Sequence, residues 1–169
     1  MKLFSANFDS LRKLYVNQLQ MLLSVEQQII NVLPAMIQNA TDTQLKQAFQ
    51  SHLQETEAQA TGLEDILVAT TGTAKPVKCK TLAALVEEAE DMVKDVTDDS
   101  VRDAALITAA QRIEHYEIAV YGAVRNFAQI LGEASPAEVL ERILKEEEHA
   151  DHLLTKIADR VNPSAKKAA

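Results

Sequence analysis

The sequence predicts an all-α fold in which four long helices pack as a bundle and a short helix lies between the second and the third. Three observations lead to this class. The 169 residues include only four glycines and four prolines, and many are helix-favouring alanine, leucine, glutamine, glutamate and lysine. Apolar residues recur at helical spacing over long stretches. Glutamates interrupt those apolar stripes on three separate helices, which indicates a shared polar site.

The first long helix is expected from about Ser10 to Asn39. Pro34 falls inside it and should kink it, because the proline ring removes one backbone donor and clashes with the preceding turn. Glu26 lies in the middle of the apolar stripe, and its neighbours at spacings of three, four and seven share one helix face. All six are large aliphatic residues: Leu19, Leu22, Leu23, Ile29, Ile30 and Leu33.

The second helix is expected to open with the capping box at residues 41–44 (TDTQ) and to continue to about Thr70, with Gly72 as its C-terminal cap. The inward-facing stripe of this helix is clearest at seven positions, and Glu55 lies beside that stripe rather than on it. The stripe consists of Leu45, Phe49, His52, Thr56, Gln59, Leu63 and Ile66.

The segment between the second and third long helices begins with a loop at residues 73–80, where Cys79 is expected to be an exposed thiol. A short amphipathic helix should follow, from about Leu82 to Lys94. Residues 97–100 offer several candidate N-caps for the third long helix, which should end near Gly132.

The fourth long helix is expected to open at residues 135–138 (SPAE), which combine an N-cap, a proline at the first helical position and a glutamate at the third. It should end near Val161. One domain would then span residues 1–161, with residues 162–169 as a flexible tail. Two tight hairpins joined by one long crossover are typical of a ferritin-like four-helix bundle, and a plain up-down bundle with a structured loop is the alternative.

Composition excludes several functional classes. No apolar run reaches the roughly 18 residues that cross a bilayer, and residues 1–10 lack a signal-peptide pattern, so no membrane role is expected. A single cysteine excludes an internal disulfide and favours a reducing cytoplasm. A formal net charge of −8 argues against a general nucleic-acid binder.

The core-facing glutamates predict a metal site. A buried unpaired carboxylate is costly, so it must be protonated, paired or bound to a metal. Ferritin-like di-metal proteins use one Glu from each of two helices and a Glu-x-x-His pair from each of the other two. Here Ala58 and Ala150 stand at the expected histidine positions, so the strict pattern is absent. The candidate metal ligands are Glu26, Glu55, Glu114, Glu117, Glu147 and Asp151, with His52 and Gln59 beside them. For each glutamate taken alone, a satisfied core carboxylate is the competing interpretation.

Residues 102–122 (RDAALITAAQRIEHYEIAVYG) resemble the central motif of the YciE/YciF-type stress-associated proteins. Supporting matches are LYVNQL…SVEQQI around Glu26, LPAM at 33–36, HLQET at 52–56 and LKEEEHAD at 144–151. The resemblance covers nearly the whole chain. It implies a ferritin-like dimer tied to bacterial stress responses, with the six acidic candidates as its site.

The chain is also similar, more distantly, to rubrerythrins, which carry the Glu-x-x-Glu pair seen here at Glu114 and Glu117. Rubrerythrin-like proteins have histidine where this chain has Ala58 and Ala150, so their peroxidase activity is not implied. A C-terminal rubredoxin-like cysteine module is also missing from the sequence, so no internal electron-donor domain is expected.

Three functions follow from these observations. The first is a cytoplasmic protein that binds two divalent ions, iron or manganese, and acts in stress by oxidising Fe²⁺ or consuming peroxide. The second is a non-enzymatic dimeric stress protein that works through partner binding. The third is a storage cage of 12 or 24 subunits, as in ferritins.

A homodimer is the expected assembly, and light scattering in solution tests it. A bundle helix needs an apolar face only about 100° wide, and the surplus apolar residues should be covered, most simply by a two-fold partner or by the short helix. The expected mass is about twice that of the 18.6 kDa chain. The monomer mass would contradict a dimer, and a ten-fold larger mass would support a cage. The surplus residues are Tyr15, Val16, Met21, Val25, Val32, Val120, Val124 and Ile130.

Overall fold

The computed structural model describes residues 8–166, and its regular structure is helical throughout. The expectation of an all-α chain with four long helices and one short helix is confirmed. Residues 1–7, which include most of the segment tested for a signal peptide, and residues 167–169 of the expected tail lie outside the described residues. The five helices are α1 (Leu11–Asn39), α2 (Thr43–Thr71), α3 (Lys80–Lys94), α4 (Asp99–Ile130) and α5 (Ala134–Ala165).

Side-chain oxygens cap the starts of three helices. The oxygens of Ser10, Asp42 and Asp98 accept backbone N–H groups in the first turns of α1, α2 and α4. At the other end of α2, Gly72 adopts the left-handed conformation with φ of 81°, which glycine reaches without steric cost. Pro34 lies inside α1, as the sequence indicates.

The bounds of α5 differ from the prediction at both ends. The helix opens at Ala134 with Glu133 as N-cap, rather than with Ser135, so Pro136 occupies the third helical position. Proline is tolerated there because the first N–H groups of a helix have no intrahelical partner. The helix also continues to Ala165, so residues 162–165 of the expected tail are helical.

The loop before α3 is more ordered than the sequence suggests, and the prediction that Cys79 is exposed is wrong. Cys79 is fully buried. Its sulfur accepts the N–H of Leu82 at 3.4 Å and lies 3.1 Å from the hydroxyl of Tyr116. Its own N–H donates to Ser24 Oγ at 3.1 Å. The cysteine is therefore the N-cap of α3, which starts two residues earlier than expected.

The four long helices form a closed ring of neighbours: α1 packs on α2 and α4, and α5 packs on α4 and α2. The short α3 packs on α1 and α4. The buried apolar side chains separate into two clusters, one containing Leu33, Phe49 and Ile157, the other containing Leu63 and Leu140. Along each long helix, the buried polar residues fall at the boundary between these clusters, except Asp103 of α4, which lies beyond the first cluster. The fold thus positions one polar layer inside the bundle.

Much of the apolar surplus is covered within the chain itself. Tyr15, Val25 and Val124 are buried, whereas Ile130 is 65% exposed. The other four surplus residues are partly buried. Within residues 8–166, no helix is both long enough and apolar enough to span a membrane.

A buried carboxylate ties the α1–α2 turn to the rest of the fold. Asp103 of α4 is 3% exposed. It accepts the N–H and the hydroxyl of Thr41, both at 2.7 Å, and the N–H of Asp42 at 2.8 Å. Arg160 of α5 then binds the carboxylate of Asp42 with two bonds, at 2.5 and 2.7 Å. The turn is therefore attached to both α4 and α5.

We expect Asp103→Ala to destabilise the fold by about 2–3 kcal/mol, because it leaves three donors in the turn without their acceptor. For a chain of this length the melting temperature should fall by about 5–10 °C, measurable by circular dichroism. Asp159→Ala, at an exposed position on α5, is the matched control. A decrease no larger than that of the control would contradict the assigned role.

Candidate metal centre

Five buried polar side chains meet in the layer between the two apolar clusters. Glu26 comes from α1, His52 from α2, Glu114 and Glu117 from α4, and Glu147 from α5. Their exposed fractions are 0, 7, 3, 1 and 0%, respectively. Each of the four long helices therefore contributes to one site.

Four of the five lie close enough to share an ion. His52, Glu114, Glu117 and Glu147 each offer one ligand atom, and these atoms all lie within 4.8 Å of one another. Two ligand atoms about 2.0–2.3 Å from the same divalent ion are separated by at most about 4.6 Å. Small side-chain adjustments would bring the four atoms onto one ion.

The hydrogen bonding of these groups supports a metal as their missing partner. Both oxygens of Glu117 and both ring nitrogens of His52 have no hydrogen-bond partner among the described residues. One oxygen each of Glu26, Glu114 and Glu147 is likewise unpartnered. Buried polar atoms are normally paired, so several unpaired ligand atoms in one place need an explanation. Carboxylate oxygen and imidazole nitrogen suit iron, manganese and zinc, so the residues fit a divalent metal.

Two neighbouring side chains orient the carboxylates. The Tyr121 hydroxyl donates a hydrogen bond to Glu26 Oε1, and both residues are fully buried. The Gln59 amide donates to Glu147 Oε1 at 2.6 Å and to Glu146 Oε2 at 3.1 Å. In Glu26 and Glu147, one oxygen is thereby held and the other is left free. Such supporting hydrogen bonds fix the direction of a ligand.

Two of the predicted ligands lie at the edge of this group. The side chain of Glu55 is 44% exposed, and its Oε2 is 3.9 Å from His52 Nδ1. Asp151 is partly buried, accepts a hydrogen bond from Gln111 at 3.0 Å and lies 3.5 Å from His115 Nε2. Neither carboxylate belongs to the group of four.

Helix geometry explains why His52, rather than Glu55, points inward from α2. Thr56 and Gln59, four and seven residues after His52, share its helix face and are fully buried. The seven-residue stripe derived from the sequence is buried throughout. That stripe was the signal by which His52 could have been ranked above Glu55.

The electrostatics of the site favour bound protons when no metal is present. Burial raises the pKa of Glu26 to about 7, against an opposing contribution from the Tyr121 hydrogen bond. Burial likewise raises the pKa of Glu147 to about 7. The pKa values of Glu114 and Glu117 are also well above the usual range, because of burial and then of neighbouring carboxylates such as Glu147 and Glu26.

The same carboxylates also raise the pKa of the histidine. Burial alone would lower the pKa of His52, but the carboxylates of Glu114, Glu55, Glu147 and Glu26 together raise it to about 9. Its Nε2 lies 3.4 Å from Glu114 Oε1. The imidazolium is thus a partial substitute for a metal cation.

Comparison with known proteins gives the chain a family. The family described as "Domain of unknown function (DUF892)" matches residues 10–166. Protein YciF of Escherichia coli (strain K12) is 34% identical over 165 residues, which cover 96% of this chain and 99% of YciF. The chain belongs to the DUF892 family. This confirms the resemblance to the YciF-type stress-associated proteins that the sequence motifs indicated.

Solved structures support the same assignment for this DUF892 chain. The crystal structure of the E. coli stress protein YciF is 32% identical with a TM-score of 0.87, covering 92% of this chain and 99% of that one. YcfI from Rhodopseudomonas palustris is 34% identical with a TM-score of 0.86, covering 90% and 97%. A protein from Xanthomonas campestris pv. campestris, 21% identical with a TM-score of 0.75 over 94% and 98% of the chains, shares the fold.

We expect the stability of the metal-free DUF892 protein to fall as pH rises from about 5 to 9. The pKa values of Glu26 and Glu147 rise from 4.5 to about 7 on folding, so their stabilisation is complete below pH 4.5 and is lost as pH rises through 7. The loss is on the order of 3 kcal/mol. The raised pKa of His52 acts in the same direction, from 6.5 to about 9.

Thermal melts with chelator and with excess Mn²⁺ measure this trend. Metal binds the ionised carboxylates, so added Mn²⁺ should stabilise the protein more at pH 8 than at pH 5. Identical pH profiles with and without metal would contradict a clustered site.

Proposed function

We propose that this protein is a ferritin-like di-metal carboxylate protein that binds two divalent ions, iron or manganese, in the bacterial cytoplasm during stress. The observation that carries the proposal is the set of unpartnered ligand atoms on Glu26, His52, Glu114, Glu117 and Glu147 in one buried layer. The description of E. coli YciF as a stress protein supports the physiological setting.

Charge balance supports two ions rather than one. Four buried glutamates carry four negative charges when ionised, and two divalent cations neutralise them while leaving His52 neutral. The first ion would use the group of four ligand atoms within 4.8 Å of one another. The second would be held by Glu26 and the neighbouring carboxylates. Glu55 and Asp151 are peripheral candidates because of their exposure and separate partners.

The chemistry we propose is Fe²⁺ oxidation or peroxide handling. Iron or manganese, when bound, supplies electron transfer and Lewis acidity toward an oxygen species. The chain itself orients the ligands through Tyr121 and Gln59. It also leaves room beside His52 and Glu114, because Ala150, which stands where rubrerythrin-like proteins carry a histidine, lines the same pocket as these two residues.

The architecture we propose is a single ferritin-like four-helix bundle with α3 in the crossover. The closed ring formed by α1, α2, α5 and α4 supports it. We further propose a homodimer rather than a cage. The support is the apolar surface that the chain itself leaves uncovered, of which Ile130 is the most exposed residue at 65%.

Glu147→Gln tests the site, because the amide preserves the shape of the side chain and removes its charge. We expect elemental analysis to find two Mn or Fe ions per chain in the parent protein and at least one fewer in this variant. The metal-free variant should also be more stable than the parent above pH 7, because one buried like charge is gone.

The matched control is Glu148→Gln, an exposed neighbour on the same helix. It should bind two ions, as the parent does. The double variant Glu26→Ala with Glu114→Ala should bind none. Unchanged metal content in Glu147→Gln and in the double variant would contradict the proposed site, and a metal-free parent protein would favour the partner-binding hypothesis instead.

A further inference from the structure

A pocket of about 200 Å³ connects the surface to the buried polar layer. It lies between α2 and α5, and its lining includes two members of the candidate centre, His52 and Glu114. Both are more than nine-tenths buried, so they form its inner end. The outer end is lined by the exposed residues Ser51, Glu55 and His149. We call these three residues the rim.

His52 bridges the rim and the centre. Its Nδ1 is 3.9 Å from Glu55 Oε2 at the rim, and its Nε2 is 3.4 Å from Glu114 Oε1 at the inner end. Neither nitrogen has a hydrogen-bond partner within the described part of the chain. The imidazole therefore offers one nitrogen beside the carboxylate of Glu55 and the other beside the carboxylate of Glu114, and each pair could bind a cation.

The remaining walls of the pocket are apolar, and include Phe49, Ala150 and Leu153. These apolar side chains have no atom that can coordinate a cation, so a divalent ion that enters can bind only to the polar groups at the rim and the inner end. The small side chain of Ala150 keeps the passage open.

We propose that this pocket is the port through which divalent cations reach the centre, and that Glu55 and His149 at its rim form an outer cation site that delivers ions to His52. The inference rests on the proposed function, since it needs a metal centre to supply. It gives Glu55 a separate role: the carboxylate binds an incoming ion transiently and is not a resident ligand. The ligand class is a hydrated Mn²⁺ or Fe²⁺ ion, which exchanges water for carboxylate and imidazole ligands.

The test is the rate at which the full-length metal-free protein takes up Mn²⁺. Free Mn²⁺ gives an electron paramagnetic resonance signal that disappears on binding, so rapid mixing yields both a rate and a final stoichiometry. In the double variant Glu55→Gln with His149→Gln, we expect uptake to slow by about ten-fold or more, because a rim that concentrates cations raises the rate of entry. The final stoichiometry should equal that of the parent.

The matched control is Glu57→Gln with His152→Gln, which makes the same changes at exposed positions on the same two helices. It should load at the parental rate. Equal rates in the rim and control variants would overturn the port. A lower final stoichiometry in the rim variant would also overturn it, because Glu55 or His149 would then be a resident ligand. A parent protein that binds no Mn²⁺ would overturn the proposed function itself.

A second variant narrows the passage without changing charge. Ala150→Leu places a larger side chain in the pocket lining, and we expect slower Mn²⁺ uptake with unchanged final stoichiometry. Ala58→Leu, at an exposed position on α2, is its control. Circular dichroism melts verify that both variants are folded. Parental uptake by a folded Ala150→Leu protein would count against the pocket as the route.

Discussion

The burial of four carboxylates inside a helical bundle is the constraint on which the rest of the structure depends. An ionised glutamate in an apolar interior is costly unless a proton or a cation compensates it. Here the glutamates occupy one layer, with a complete apolar cluster on each side. Long helices are needed to build both clusters, and burial of those clusters offsets the cost of the polar layer.

The side chains around Glu26 and Glu147 hydrogen-bond to only one oxygen of each carboxylate. Tyr121 holds Oε1 of Glu26 and Gln59 holds Oε1 of Glu147, while Oε2 of each carboxylate has no partner in the described chain. A fully hydrogen-bonded carboxylate would be stable but inert, and a completely free one would be disordered. The observed division gives each group a fixed direction and an available lone pair, which is what metal coordination requires.

Sequence reasoning was most successful where a property depends on one helix alone. Periodicity identified Glu26, Glu114 and Glu147 as inward-facing because most of their same-face neighbours, and all six of those of Glu26, are apolar. The α2 stripe was buried throughout. It was less informative about Glu55 and Asp151. Their closeness in sequence to inward residues suggested a role in the site, but a position beside the seam does not determine how far a side chain reaches between neighbouring helices.

The errors at Cys79 and at the start of α5 have different causes. A lysine-flanked cysteine in a loop reads as exposed, because the sequence does not reveal that Ser24, Gln28 and Tyr116 surround it. The prediction for α5 relied on proline at the first helical position, although the third position is equally free of the need for a donor. Tertiary contacts therefore decided the burial of Cys79. The start of α5 was misplaced because proline suits more than one position in the first turn of a helix.

The position of Cys79 has a consequence for the durability of the protein. Sulfenic and sulfinic acids form on thiols that solvent can reach, and covalent dimers require two such thiols to meet. The only cysteine in the chain is fully buried and its sulfur is in contact with the Tyr116 hydroxyl. While α3 stays in place, the folded protein therefore offers oxidants no accessible thiol. Irreversible oxidation of Cys79 requires that segment to open.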